Sequence, residues 1–199
     1  MSETASARVP PSPHTHDLAC LEPLRMDHAT VLARLLVDAG DVRWTGIALP
    51  DSRCPDRWVH DRLHGGADCY LVVHRGQALG YAQLRQVEGI GCPVIWLTSA
   101  QRHRGYGVRV IRALMHQSQC AGLQAMVAAI RQDNRASQGA FRRCGWIETG
   151  WQARVPYADC GFWALSLEPA ASGHGLELAV ARFYRASAPL LTLYETVEP

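Results

Sequence analysis

Lysine is missing from this 199-residue sequence, and all 20 basic side chains are arginine. A phosphate-binding loop of the P-loop type needs a lysine before its Ser or Thr, so that class is excluded. Codon usage in a GC-rich genome is the simplest source of the bias. No apolar run approaches the roughly 18 residues that span a bilayer. Residues 1–16, rich in Ser, Pro and His, lack the apolar stretch of a secretory signal. They read as a disordered leader outside the fold. The seven cysteines (Cys20, Cys54, Cys69, Cys92, Cys120, Cys144 and Cys160) include no C-x-x-C pair. That scatter argues against a disulfide framework and a zinc site, so no metal is expected. Free thiols fit a reducing compartment, and a cytoplasmic protein without membrane contacts is the expectation. A net charge of +2 gives no global basic field for nucleic acid.

What is present reads as one α/β domain. A strand over 18–24 precedes an amphipathic helix over 26–37, with Asp27 as its cap and Val31, Leu32, Leu35 and Leu36 at helical spacing. Residues 38–54 are irregular, and Pro55 opens a short helix over 55–64. Two β-prone runs, 69–74 and 78–87, are joined at Arg75-Gly76-Gln77. After Glu88-Gly89-Ile90-Gly91 a third strand over 93–98 completes an antiparallel meander. The apolar period then becomes helical from Gly105 to about Cys120, with Val108, Ile111, Leu114 and Met115 on one face. A strand over 123–130 follows, then a helix over 135–143 capped by Asp133 or Asn134, then strands over 145–151 and 161–167. The strand, helix and strand from 93 to 130 make a β-α-β crossover. After a linker at 169–173, residues 176–186 suit a helix and 190–194 a strand.

The most informative stretch is Arg102-His103-Arg104-Gly105-Tyr106-Gly107, between an apolar strand and an amphipathic helix. Its glycines let the backbone approach a ligand, and the helix beyond presents unpaired N–H groups. A diphosphate suits that positive end, with Arg102 and Arg104 adding charge-assisted hydrogen bonds. A dinucleotide fingerprint would instead need G-x-G-x-x-G in a mostly parallel sheet, which the meander contradicts.

Arg102–Gly107 resembles the R/Q-x-x-G-x-G/A signature of the GCN5-related N-acetyltransferase (GNAT) family. Asn134-Arg135-Ala136-Ser137, with Ala140-Phe141-Arg142-Arg143-Cys144-Gly145-Trp146, is similar to that family's N-x-x-A/S…Y-x-x-x-G-F segment. The resemblance covers about residues 17–168. It implies a mixed, mainly antiparallel central sheet flanked by helices, with 169–199 as a C-terminal extension serving as lid, edge strand or dimer arm. It also implies an acyl-CoA-dependent N-acyltransferase, with acetyl-CoA or another acyl-CoA as co-substrate and an amine of a small molecule or peptide as acceptor. A homodimer is compatible with it.

By that resemblance the diphosphate lies on the amides of His103, Arg104, Gly105, Gly107 and Val108. Leu97 and Ser99 give main-chain bonds to the pantetheine, and a Leu97 amide polarises the thioester carbonyl. Asn134 contacts the pantetheine, and Arg135 and Arg104 reach the outer phosphates. The family's frequent acid, a Tyr, is replaced by Phe141, which has no proton to give. Tyr157 and Tyr106 are the spare phenols, with Ser137 and Cys144 as small donors nearby. Glu88 is the candidate base, against the plainer reading of a solvated turn carboxylate. His74, His103 and His116 read more simply as turn, loop and helix-face residues. Asp41, Trp44 and Trp58 either shape the acceptor cleft or pack locally. Two other readings remain open: a carrier-protein thioester as donor, and a catalytically silent CoA-binding module, which Phe141 favours.

Overall fold

The computed structural model describes residues 20–37, 54–151, 159–168 and 173–195. β1 (Cys20–Pro23) leads through a single 3-10 turn into α1 (Ala29–Val37), and α2 (Pro55–His64) begins on its proline. β2 (Ala67–His74), β3 (Gln77–Val87) and β4 (Ile90–Leu97) form the expected meander. α3 (Tyr106–Cys120), β5 (Ala125–Arg131) and α4 (Arg135–Arg143) follow, then β6 (Ile147–Glu148), β7 (Cys160–Ser166) and α5 (Gly173–Glu195). The seven strands lie in the order β1-β2-β3-β4-β5-β7-β6, and only the β4–β5 pair is parallel.

Alternation along the strands sorts the core into two faces. Tyr70, Val72, Ala82, Leu84, Met126 and Ala128 pack under Val110, Ile111 and Leu114 of α3 and Phe141 of α4. Cys69, Leu71, Tyr81 and Trp96 face the other way, against Leu32 of α1 and Trp58 and Val59 of α2. On that same second face Val127, Phe162 and Ala164 are covered by Leu176, Val180 and Phe183 of α5.

Four sequence expectations change. The meander turn is shorter than expected. Glu88 and Gly89 both have positive φ, at 49° and 76°, a two-residue turn that pairs Val87 with Ile90, so β4 starts at 90 instead of 93. Asp27 does not cap α1. It sits inside the 3-10 turn and holds Arg25 through Nε at 3.1 Å and a terminal nitrogen at 3.2 Å, which lowers its carboxyl below the usual range. The strand expected over 145–151 shrinks to two residues, because Trp146 turns into the core and Trp151 packs on Phe162 and Tyr184. The strand expected at 190–194 lies within α5, which runs unbroken from Gly173 to Glu195 after Leu176, Val180 and Phe183 set its helical period. None of the helices among the described residues is long and apolar enough to cross a membrane.

Candidate active site

β4 and β5 start side by side and then part. Their pairing is confined to Ile90 with Ala125 and Gly91 with Met126. Thr98 N–H donates to the Leu79 carbonyl at 3.0 Å, toward β3. Successive residues of a strand direct their N–H and C=O to opposite sides, so those of Leu97 face away from β3, toward β5. Pro93 shares that edge and has no N–H to offer, which ends the ladder just where the strands diverge. The result is a gap between two central strands, lined by main-chain groups that no neighbouring strand pairs.

The gap runs into a cavity of about 640 Å³ between β4, α3 and α4. At its strand end lie Ile95, Trp96 and Leu97; Gln101, Arg102, His103, Gly105, Gly107 and Val108 form the loop side. Gly105 is the N-cap of α3 in the left-handed region, at φ 81°, and no side chain caps the helix. The first-turn N–H groups of α3 are therefore unsatisfied within the helix, at the end that carries positive partial charge. A Cβ on Gly107 would meet nothing within 4 Å, so no protein atom demands glycine there. Arg102 folds back, donating from Nε to the Leu97 carbonyl at 3.3 Å.

α4 forms the third wall, with Asn134, Arg135, Ser137, Ala140, Phe141 and Arg143 on the cavity. Asn134 is its N-cap, accepting from the Ser137 N–H at 3.1 Å, which decides between the two capping candidates. Phe141 is buried and meets Trp146 edge-on at 4.7 Å. No phenol lines the cavity among the described residues.

Eight of the ten residues expected to hold a donor line this one cavity: Leu97, Arg102, His103, Gly105, Gly107, Val108, Asn134 and Arg135. Ser99 and Arg104 are exposed and do not line it. Glu88 is displaced from the site altogether. It occupies the β3–β4 turn, at the far end of β4 from Leu97, and seven residues of strand separate the two ends by about 23 Å. There it pairs with Arg182 of α5 at 3.6 Å, so a base acting at the Leu97 end is ruled out for Glu88. Trp58 is core, edge-on to Tyr81 at 5.2 Å, which settles its two readings in favour of packing. Tyr106 lies 5.1 Å from the His74 ring, off the cavity. Cys144 points at the Val108 carbonyl, 3.7 Å away, and burial pushes its thiol up; burial also pushes Cys92 up to about 12, so neither is a thiolate at neutral pH. Tyr157, Asp41 and Trp44 lie outside the described residues. Gln101 and Ile111 were not signalled by any motif; a one-turn 3-10 helix over Ser99–Gln101 carries the first to the cavity.

Residues 19–147 match the acetyltransferase (GNAT) domain family model. An L-methionine sulfoximine/L-methionine sulfone acetyltransferase of Pseudomonas aeruginosa is 35% identical over 127 residues, spanning 58% of this chain and 74% of that protein. Among solved structures, Mycobacterium smegmatis RimJ in complex with CoA-disulfide aligns with a TM-score of 0.62 at 20% identity, over 81% of this chain and 88% of that one. The aminoglycoside acetyltransferase AAC(6')-Ib in complex with coenzyme A aligns at 0.65 and 16% identity, over 74% of this chain and 94% of that one. These two likenesses concern the fold. The family model spans more than half of the chain and the Pseudomonas relative matches most of its own length, so this chain belongs to the GNAT acetyltransferase family and is an acyl-CoA-dependent N-acyltransferase.

Proposed function

We propose that this chain acetylates the α-amine of a small amino acid of the methionine sulfone or sulfoximine type, with acetyl-CoA as donor. One observation carries the chemistry: β4 and β5 part after Gly91, leaving the Leu97 amide facing a gap that adjoins the uncapped N-terminus of α3. The residues present fit such a donor. The open space over Gly107 would admit a diphosphate, the α3 amides and Arg102 would meet its charge, and the Asn134 carboxamide, on the cavity wall, would contact the pantetheine. The acceptor class is supported by the Pseudomonas relative's named substrates.

In this reading the neutral amine attacks the thioester carbon while the Leu97 N–H stabilises the charge gathering on the carbonyl oxygen. The carbon–sulfur bond then breaks, the thiolate leaves and the ammonium proton passes to water. Holding the two reactants in register supplies most of the acceleration, so Phe141 in place of a phenol is tolerable. Tyr157, the spare phenol of the sequence, is assigned as the proton donor to the thiolate and regains its proton from water.

Release of CoA thiol, followed with a colorimetric thiol reagent, tests the proposal. Acetyl-CoA is offered with L-methionine sulfone, L-methionine sulfoximine, an aminoglycoside and an N-terminal peptide. Turnover with the two amino acids and loss of it in the Gly105→Glu, Gly107→Glu double variant are expected. Turnover confined to the peptide or the aminoglycoside would overturn the acceptor class. Glu88→Gln is expected to keep kcat within about twofold, consistent with a single surface ion pair remote from the chemistry.

A further inference from the structure

We propose that Gln83 of β3 selects the acceptor, donating its side-chain amide to an oxygen on the sulfur of the sulfone or sulfoximine amino acid. The inference rests on the acceptor class proposed above.

A gap between two strands has a mouth on each face of the sheet. The cavity proposed for the donor takes the face of α3 and α4. On the second face α1 and α2 cover Tyr81 and Trp96, and α5 covers Ile90, Val127 and Phe162. Gln83 and Val94, a register pair, lie on that second face by alternation and belong to neither apolar cluster. Val94 is half-buried and lies past Gly91, where β4 has already left β5. Gln83 is 6% exposed and is the one buried carboxamide among the described residues.

A buried carboxamide costs free energy unless both of its ends are paired. Its oxygen is paired, for the Tyr81 hydroxyl donates to it at 3.0 Å. That hydroxyl also lies 3.0 Å from the Cys69 sulfur, but a phenol has one proton and the carbonyl oxygen is the better acceptor. With the oxygen held, the two N–H donors are left on the other side, and among the described residues no group accepts from them. Diagonally across on β4, the buried indole N–H of Trp96 is likewise without a partner among the described residues. Two other such indoles, Trp146 and Trp163, belong to the core under α3 and α4. Spare donors thus stand beside the gap on the face opposite the donor cavity. A sulfone offers oxygens that accept, whereas a thioether sulfur accepts only weakly. A site built to bond such an oxygen rejects the analogue that lacks it, because the buried donor is then left unpaired. Val94 lies three residues from Leu97, about 10 Å along β4. The Gln83 side chain and the acceptor's two methylenes bridge that span when the α-amine stands at the Leu97 amide.

Calorimetric titration of the full chain, saturated with CoA so that no transfer occurs, measures L-methionine sulfone against L-methionine. Both ligands carry the α-amine and the carboxylate; only the sulfone has oxygens on sulfur. The wild type should prefer the sulfone. Gln83→Met, similar in volume, should weaken the sulfone about tenfold, the worth of one hydrogen bond, and leave L-methionine within about twofold. Gln83→Asn, which draws the amide back by one methylene, should lose the same preference and keeps the test in force if the first variant fails to fold. A thermal melt beside each titration establishes folding. An equal loss for both ligands in a folded variant, or unaltered sulfone affinity, would overturn the inference and leave the acceptor class standing. A wild type that binds the two ligands alike would overturn it as well. Turnover confined to the peptide or the aminoglycoside would overturn the acceptor class, and the inference with it.

Discussion

The carboxamide oxygen of Asn134 is committed to the Ser137 N–H, 3.1 Å away, while the residue also lines the cavity. The two roles come apart by substitution. Asn134→Asp keeps an oxygen on the helix cap and removes the amide donor. Its melting temperature should stay within a degree or two while the KM for acetyl-CoA rises several-fold. Asn134→Ala loses both roles, and the missing cap costs about 1 kcal/mol in addition. Scanning calorimetry beside steady-state kinetics reads the split; equal KM values for wild type and Asn134→Asp would remove Asn134 from the donor site. The loop residues were legible in the sequence, and the cap to within one position, because main-chain geometry is local: glycines and a helix start are encoded within six residues. Glu88 was misplaced for the complementary reason. Its neighbours in sequence are those of a turn beside a strand end, and only the register of β3 on β4 tells which end.

At the scale of elements, the gap between β4 and β5 has a sequence cause in Pro93 and a positional cause in α3. A proline on the edge facing β5 withholds the hydrogen bond that would extend the parallel ladder past Gly91. α3 then delivers its free amides to the mouth of the gap. Gly107, in the first turn of α3, costs helix stability relative to alanine and has no packing reason to be glycine. Gly107→Ala should therefore leave the melting temperature unchanged or slightly raised, and should weaken acetyl-CoA binding about tenfold. Thermal melts with and without acetyl-CoA measure both: the variant should lose most of the ligand-induced rise. A full ligand-induced rise in the variant would show that the space over Gly107 is not where the donor lies.

For the whole molecule, α5 completes a sheet that the family model matches only through residue 147. It buries the second face of β5 and β7 with Leu176, Val180 and Phe183, and Tyr184 stacks near Trp151 at 5.6 Å. Glu177 accepts from the Gly150 N–H at 3.2 Å, tying the start of α5 to the segment after β6. Phe183 is 3% exposed, so Phe183→Ala should cost about 3–5 kcal/mol. The melting temperature should fall by roughly 10 °C, while CoA affinity below the transition stays near wild type because the cavity proposed for the donor lies on the other face. A melt unchanged by the substitution would mean that α5 does not cover the sheet in solution.

By itself the sequence determined the element order as far as β7, the antiparallel meander, the glycine-rich loop before α3 and, to within one position, the cap of α4, because each depends on residues a few positions apart. The 3.6 and 2.0 periodicities and the glycine positions are sufficient for that. Only the tertiary structure decided that Glu88 pairs with α5, that Trp58 is core, that Arg142 and Arg143 part company, and that 190–194 ends a helix. Each of those depends on which face of the sheet an element covers and which strand end a turn occupies. That information resides in contacts between residues far apart in the chain, where a carboxylate, a tryptophan or an arginine reads the same in sequence whether it meets a ligand, a helix or water.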